Sequence, residues 1–156
     1  ILGEKGAAYS EAEKLALMEE KNEIYRTYLA SMTPDDLSRE ARATLQALRP
    51  RGYLLAIGSS SRNTRQILER LGLGNFFDAV ADGTQITRSK PDPEVFLLAA
   101  SLLGVAPHRA LVLEDAESGV RAARAGEFRV IGICGDNSGP DADISIRKLS
   151  NLLDIF

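Results

Sequence analysis

The sequence predicts an α/β protein with a doubly wound parallel sheet. Short apolar segments alternate with helical segments over most of the chain, which favours parallel strands, right-handed crossovers and a sheet covered on both faces. Polar residues directly follow several apolar segments, as expected where functional groups gather at the carboxyl ends of parallel strands. The predicted strands are Tyr53–Ile57, Phe77–Ala81, Ala110–Leu113 and Arg129–Ile133, with Ile144–Ile146 as a candidate fifth strand.

The chain opens on a predicted amphipathic helix. Ser10 and Glu13 have the spacing of a capping box, which satisfies backbone N–H groups at a helix start. Pro34 cannot continue a helix interior, so we expect a boundary between residues 1–33 and residues 34–156. The apolar residues of this helix are expected to form one stripe: Leu15, Met18, Tyr25, Leu29 and Met32.

Capping and stop residues predict the helices that follow. A helix is expected over 38–48, and another begins after Ser61 or Asn63. Asp92 and Pro93 suit the N-cap and the first position of a further helix. A last helix follows the third strand and ends near Gly126, and segment 135–143, rich in Gly, Asp and Pro, predicts a surface loop.

Composition excludes several classes of function. The 156 residues carry a formal net charge of −3, which provides no basic surface for nucleic acid or for an acidic membrane. A single cysteine, Cys134, allows neither an internal disulfide nor a thiolate metal cluster, and we expect it to be buried. A histidine-based mechanism would depend on His108 alone. With no apolar run long enough to span a bilayer, we expect a cytoplasmic protein.

Acidic residues follow the third predicted strand directly. Glu114 and Asp115 would be costly to bury unpaired, so we expect them at the rim of the sheet. Their oxygens suit Mg²⁺, which usually takes one or two protein carboxylates. They equally suit a solvated helix start, where acids complement the dipole. Asp82, after the second strand, lies at the same expected edge.

Two other segments supply groups for an anion. Ser59, Ser60, Ser61, Arg62 and Asn63 follow the first strand and open a helix, so that hydroxyl, amide and guanidinium donors could bind phosphate. The alternative is an ordinary serine-rich capping turn. Lys90 precedes a proline-led helix and by itself could be a surface lysine. Together, hydroxyl, lysine and acidic pair provide what phosphoryl transfer requires.

These motifs resemble those of the haloacid dehalogenase superfamily, in its β-phosphoglucomutase-like branch. The resemblance implies that the Ser59 hydroxyl binds the transferring phosphoryl group. It implies that Lys90, in Ser-Lys-Pro-Asp-Pro, balances charge at the reaction centre. It also implies that Glu114 and Asp115, in Leu-Glu-Asp-Ala-Glu-Ser-Gly, hold Mg²⁺.

Two further matches concern the substrate. The run from Ser59 to Asn63 is similar to the Ser-Ala-Ser-Lys-Asn run of β-phosphoglucomutases, which implies that Ser61, Arg62 and Asn63 hold the phosphate that is not reacting. Lys21, followed by Asn22, resembles a pair that contacts sugar in the helical cap of the family. Helical spacing alone would make Lys21 a solvated surface residue.

The departure from the family is an absent nucleophile. Members begin with a strand ending in Asp-x-Asp, where the first aspartate attacks phosphorus. The sequence has Asp-x-Asp only at Asp141-Ala142-Asp143, before a candidate strand near the wrong terminus. The resemblance therefore implies that 1–33 is a partial helical cap and 34–156 an incomplete Rossmann-like core without its central strand.

We expect the parent protein to transfer phosphoryl groups on a small sugar phosphate with Mg²⁺, through an aspartyl-phosphate. The alternatives are a sugar-phosphate phosphatase of the same branch and a catalytically dead phosphate-binding module. The chain by itself is expected to be inactive. It should also lack a stable monomeric fold, because the central strand must come from a missing N-terminal segment or from a second copy.

Overall fold

A computed structural model describes residues 9–134 and 142–156 of the chain. The helices are α1 (Glu11–Ser31), α2 (Arg39–Leu48), α3 (Thr64–Arg70), α4 (Glu94–Leu103), α5 (Glu117–Ala125) and α6 (Leu152–Ile155). The strands are β1 (Ala56–Gly58), β2 (Ala79–Ala81), β3 (Leu111–Glu114), β4 (Arg129–Ile133) and β5 (Ile144–Ile146). Strands alternate with helices as the sequence predicts.

All strand pairs are parallel, which confirms the predicted α/β class. β1 pairs with β2, with Ile57 opposite Val80. β4 lies between β3 and β5, with Val112 opposite Val130 and Gly132 opposite Ser145. Among the described residues, β1 and β3 belong to separate sheets and do not pair with each other. Each therefore has a strand edge without a ladder partner, as expected if a central strand lies outside these residues.

Two apolar cores join the separate sheets. In the first, α4 and α5 pack on the strands, and Val95 and Phe96 share a buried cluster with Val112 of β3 and Val130 of β4. In the second, Leu48 of α2 packs with residues of β4, β5 and α6. Both cores contain residues from beside β1 and from β3 or β4, so packing holds the sheets together where backbone hydrogen bonds do not. The second core comprises Leu48, Ile131, Ile146 and Leu152, with Leu55 and Leu113 packed against it.

The first two strands are shorter than predicted, and β1 is only half-buried. The continuously apolar run Tyr53–Ile57 predicts a strand buried on both faces. That prediction is wrong, because β1 begins at Ala56 and Leu54 is 54% exposed. The Leu55 N–H donates to an Asp78 carboxylate oxygen at 2.7 Å instead of entering a ladder. With a partner on one side only, the apolar residues at the start of this segment remain at the surface.

The helix starts agree with the sequence to within one residue. The capping box of Ser10 and Glu13 is confirmed, and the Ser10 N–H donates to the Glu13 carboxylate at 2.8 Å. The N-cap of α4 is Pro93 and not Asp92. Asp92 nevertheless accepts the Glu94 N–H at 3.0 Å, so its carboxylate caps the helix from one position earlier.

The apolar stripe of α1 does not form a buried face in the described structure. Leu29 is buried, but Leu15 is 66% exposed and Tyr25 is 37% exposed. α1 contacts α3, and its buried residue Leu29 lies near its C-terminal end. Cys134 is half-buried and not fully buried as expected. The boundary after residue 33 stays a prediction.

The predicted surface loop 135–143 lies largely outside the described residues, as does Asp141 of the Asp-x-Asp triplet. Asp143 is described, and its carboxylate accepts the Val130 N–H at 2.7 Å. That hydrogen bond attaches the residue before β5 to β4. Across the described ranges, no helix has both the length and the apolar character needed to cross a membrane.

Because β1 and β3 each have an edge that no described strand pairs with, we expect the 156-residue chain to self-associate. Replacing Leu111→Lys, in β3, should reduce association because a charge at a strand edge disfavours pairing with another chain. Leu111 is 37% exposed, and Leu102 of α4, which is 51% exposed, supplies the control Leu102→Lys. Light scattering after size-exclusion chromatography gives the mass. A monodisperse monomer, or equal effects of both variants, would contradict this interpretation.

Candidate active site

The loop after β1 is a turn of serines whose hydroxyls accept backbone hydrogen bonds. The Ser59 N–H donates to the Ala81 carbonyl at 3.0 Å, which extends the pairing of β1 with β2. Ser59 Oγ accepts the Ser61 N–H, and Ser61 Oγ accepts the Asn63 N–H, each at 3.2 Å. Since a hydroxyl that accepts a bond keeps its own proton, this loop can still donate to an anion.

Lys90 connects this serine loop to the other sheet. Its backbone N–H donates to Ser60 Oγ at 3.4 Å. Its ammonium group forms an ion pair with Glu114 Oε1 at the end of β3. The same ammonium lies 4.5 Å from the centre of the Phe96 ring, a distance at which a cation is attracted to an aromatic face. One residue therefore brings together the ends of strands from both sheets.

Glu114 and Asp115 have different surroundings despite being adjacent. The Glu114 side chain is 9% exposed, and its Oε2 accepts the Asp115 N–H at 3.3 Å. A buried carboxylate requires a charged partner, which Lys90 supplies. Asp115 is exposed at the approach to α5. The pair therefore divides into a carboxylate engaged with Lys90 and a carboxylate that faces solvent.

The loop that leads to Lys90 is anchored by Glu94. The Glu94 carboxylate accepts the Thr87 N–H at 3.0 Å and the Arg88 N–H at 2.7 Å. These two backbone hydrogen bonds hold the pKa of Glu94 below its usual range, and the bond from Thr87 has the larger effect. Arg88 also forms an ion pair with Asp92 at 3.2 Å. The first turn of α4 thus fixes both ends of the segment around Lys90.

Asp82 fixes the end of β2 beside the serine loop. Its buried side chain accepts the Thr84 N–H at 2.9 Å and the Thr84 hydroxyl at 2.5 Å, and it pairs with Arg65 of α3 at 3.1 Å. Burial works to raise the pKa of Asp82, but the hydrogen bonds from Thr84 and the Arg65 guanidinium together hold this pKa below its ordinary value. The next residue, Gly83, donates its N–H to the Ser61 carbonyl at 3.0 Å.

The donor chemistry of the rim fits a hard divalent cation. Asp115 offers exposed carboxylate oxygens, and Mg²⁺ typically takes one or two carboxylates and completes its shell with water and phosphate oxygens. Within residues 9–134 and 142–156, no group of three or more His, Cys, Asp or Glu side chains could hold a metal ion. Asp115 offers carboxylate oxygens for such a shell, and one oxygen of Glu114 pairs with Lys90. The binding of Mg²⁺ by these two residues stays a prediction.

Of the other predicted site residues, two are exposed and one is half-buried. Arg62 is exposed between the serine loop and α3, and Asn63 is the N-cap of α3 without a side-chain capping bond. Lys21 is exposed on α1. Their contacts with a substrate stay predictions, as do the roles of the other site residues.

Sequence reasoning did not identify the side chains that support the site. Phe96 beneath Lys90 and Arg65 beside Asp82 are absent from the predicted set. Phe96 has the pattern of an ordinary core residue on α4, and Arg65 that of a solvated helix residue. No local signal in the sequence distinguishes either one, because both roles arise from contacts between distant segments.

The parallel fold and this rim place the chain among α/β proteins that carry functional groups at the carboxyl ends of their strands. The family model described as haloacid dehalogenase-like hydrolase matches residues 3–126. The chain belongs to the haloacid dehalogenase-like hydrolase family, as the sequence motifs predicted.

The chain is similar to proteins that are named as a phosphomutase and as a phosphatase. A β-phosphoglucomutase of Bacillus subtilis (strain 168) is 35% identical over 152 residues, which cover 97% of this chain and 67% of that protein. Fructose-1-phosphate phosphatase YqaB of Escherichia coli (strain K12) is 36% identical over 110 residues, covering 70% of this chain and 57% of that protein. The crystal structure of β-phosphoglucomutase from Clostridium difficile superposes with a TM-score of 0.82 at 28% identity, covering 97% of this chain and 68% of that one.

The buried carboxylate of Asp82 predicts a pH-dependent stability difference. At neutral pH, Asp82→Asn in the full-length gene product should lower the free energy of unfolding by about 1–3 kcal/mol, since hydrogen bonds to a charged group are lost. The folded pKa of Asp82 is lowered, so its contribution is present above the unfolded value of about 3.9 and is lost as the pH falls through the folded pKa.

The measurement is urea denaturation at several pH values between neutral and strongly acidic. The stability difference between wild type and Asp82→Asn should shrink below about pH 4. Asp35→Asn, at an exposed position in the turn Pro34–Asp36, is the control. A difference that stays constant across the acidic range would contradict the role given to the Asp82 charge.

Proposed function

We propose that this chain is the larger part of a Mg²⁺-dependent phosphoryl-transfer enzyme that acts on a small phosphorylated sugar, in the manner of a β-phosphoglucomutase. The observation that carries the proposal is the position of Lys90, between the hydroxyl loop and Glu114. A cation held between a donor loop and an acidic strand end is suited to bind a phosphoryl group, whose transfer depends on positioning and electrostatic stabilisation.

Each residue of the site has its own role, which depends on its position. Ser59 and Ser60 donate hydroxyl hydrogen bonds to the transferring phosphoryl group, and Lys90 offsets its negative charge. Lys90 retains its place because Glu114 and the Phe96 ring hold the ammonium group. The phosphoryl group passes from the sugar oxygen to the carboxylate of an aspartate outside this chain. The sugar O–P bond breaks, an aspartyl-phosphate forms, and the sugar oxygen leaves and takes up a proton.

Magnesium would be held by Asp115 together with groups from outside the chain, and when bound it neutralises charge on the phosphoryl oxygens. Asp115 is suited to this because its carboxylate is exposed at the rim. Glu114 also holds Lys90 through their ion pair, and its coordination of Mg²⁺ beside Asp115 stays a prediction.

The hypothesis that the enzyme is a phosphomutase depends on a second phosphate-binding group. Ser61, Arg62 and Asn63 leave the serine loop on the side of α3, where the exposed Arg62 guanidinium can meet a phosphate that is not reacting. The named activity of the B. subtilis relative supports this reading. The E. coli relative, named a fructose-1-phosphate phosphatase, supports the alternative of a sugar-phosphate phosphatase.

The test compares two activities of the full-length gene product. Arg62→Ala should lower the isomerisation of a sugar phosphate by about ten- to a hundredfold, the value of a charge-assisted hydrogen bond, and should leave hydrolysis of a simple monophosphate nearly unchanged. Arg70→Ala, at the other end of α3, is the control for loss of a surface charge. Asp115→Asn should abolish both activities.

The outcomes separate the candidate functions. Equal losses of isomerisation and hydrolysis in Arg62→Ala would favour the phosphatase. Saturable phosphate binding without turnover would identify a binding module. An active protein whose turnover is independent of Mg²⁺ and unaffected by Asp115→Asn would overturn the proposal.

A further inference from the structure

Gly119 lies where the first turn of α5 passes over the Glu114 carboxylate. Gly119 is buried, and a Cβ atom built on it would overlap the carboxyl carbon and both carboxylate oxygens of Glu114. Those three atoms are the nearest neighbours of the missing Cβ. The carboxylate of Glu114 therefore occupies the space that any other residue at position 119 would fill.

Backbone conformation does not explain a glycine at this position. Gly52 and Gly104 have φ angles of 82° and 68°, and a Cβ on either would meet nothing within 4 Å. Those two are glycines because of their left-handed backbone. Gly119 lies within a regular α-helix, where glycine is less favourable than alanine by about 1 kcal/mol. The compensating factor at Gly119 is room for the Glu114 side chain.

The space left by Gly119 matters because both oxygens of the Glu114 carboxylate make hydrogen bonds in this position. Its Oε1 is paired with Lys90, and its Oε2 accepts the Asp115 N–H. The two charged side chains are 9% and 18% exposed, so a displaced Glu114 would leave both charges poorly paired in a site largely shielded from water. A displaced Glu114 would also release the ammonium of Lys90 from its position over Phe96.

We propose that Gly119 is a positioning residue for Lys90, acting through Glu114. Its missing side chain allows the carboxylate to lie against α5 and to hold the lysine at the rim. The consequence for phosphoryl transfer rests on the proposed function, but the control of Lys90 by Gly119 does not and is tested without substrate.

The first experiment compares Gly119→Ala in two backgrounds of the full-length gene product. In wild type, the substitution should lower the urea denaturation midpoint. In a Lys90→Met/Glu114→Ala background, which removes both charges and the obstructing carboxylate, it should raise the midpoint, because alanine is the better helix former. If Gly119 instead serves close packing of α5 on the strands, the midpoint falls in both backgrounds, and the proposal is overturned.

The second experiment measures how accessible the Lys90 amino group is to a chemical reagent. Acetylation of each lysine is followed by mass spectrometry in wild type, Gly119→Ala and the control Gly104→Ala, which strains the left-handed end of α4. Gly119→Ala should raise the acetylation rate of Lys90 several-fold relative to the exposed Lys148 in the same molecule, while Gly104→Ala leaves the ratio unchanged. An unchanged ratio in Gly119→Ala, or an equal rise in both variants, would overturn the proposal.

Discussion

The ion pair of Lys90 with Glu114 is the interaction on which the rest of the site depends. β1 and β3 belong to sheets that share no paired strands within the described residues. Lys90 bonds to Ser60 on one side of this division and to Glu114 on the other. A buried pair that loses one partner typically costs about 3–5 kcal/mol, so the alignment of the rim is strongly coupled to this contact.

The supporting contacts all restrict the same few residues. Glu94 holds the segment before α4, Asp82 holds the turn after β2, and Phe96 lies beneath the ammonium group. None of the three needs to touch a substrate. They restrict the motion of the loops that would touch a substrate. Electrostatic catalysis of phosphoryl transfer requires donors that are held in place in this way before the reaction.

The sequence was sufficient for the parts of the fold set by local chemistry. Apolar segments followed by polar residues predicted the strands and the edge where Ser59 and Glu114 lie, and the spacing of Ser10 and Glu13 predicted a capping box that is present. The length and burial of β1 could not be predicted this way. Apolar character at Leu54 favours a buried strand, but burial also needs a neighbour, and that depends on distant segments.

Local sequence patterns also could not predict that Glu114 and Asp115 have different contacts. Glu114 and Asp115 are adjacent carboxylates with the same preference for a cation, so sequence alone could not decide which would take Lys90. The choice is made by burial, because Glu114 is a buried residue at the end of β3 whereas Asp115 lies past that end and is exposed. The glycine that makes room for Glu114 gave no signal beyond being an unusual residue for a helix.

The account is tested most directly by mapping inorganic phosphate on the ¹⁵N-labelled full-length gene product by NMR, in the presence of Mg²⁺. The account predicts saturable shifts of the amides of residues 59–63 and 90, and loss of these shifts in Lys90→Met. Shifts that map elsewhere on the fold, or that persist unchanged in Lys90→Met, would contradict a phosphoryl site organised around Lys90.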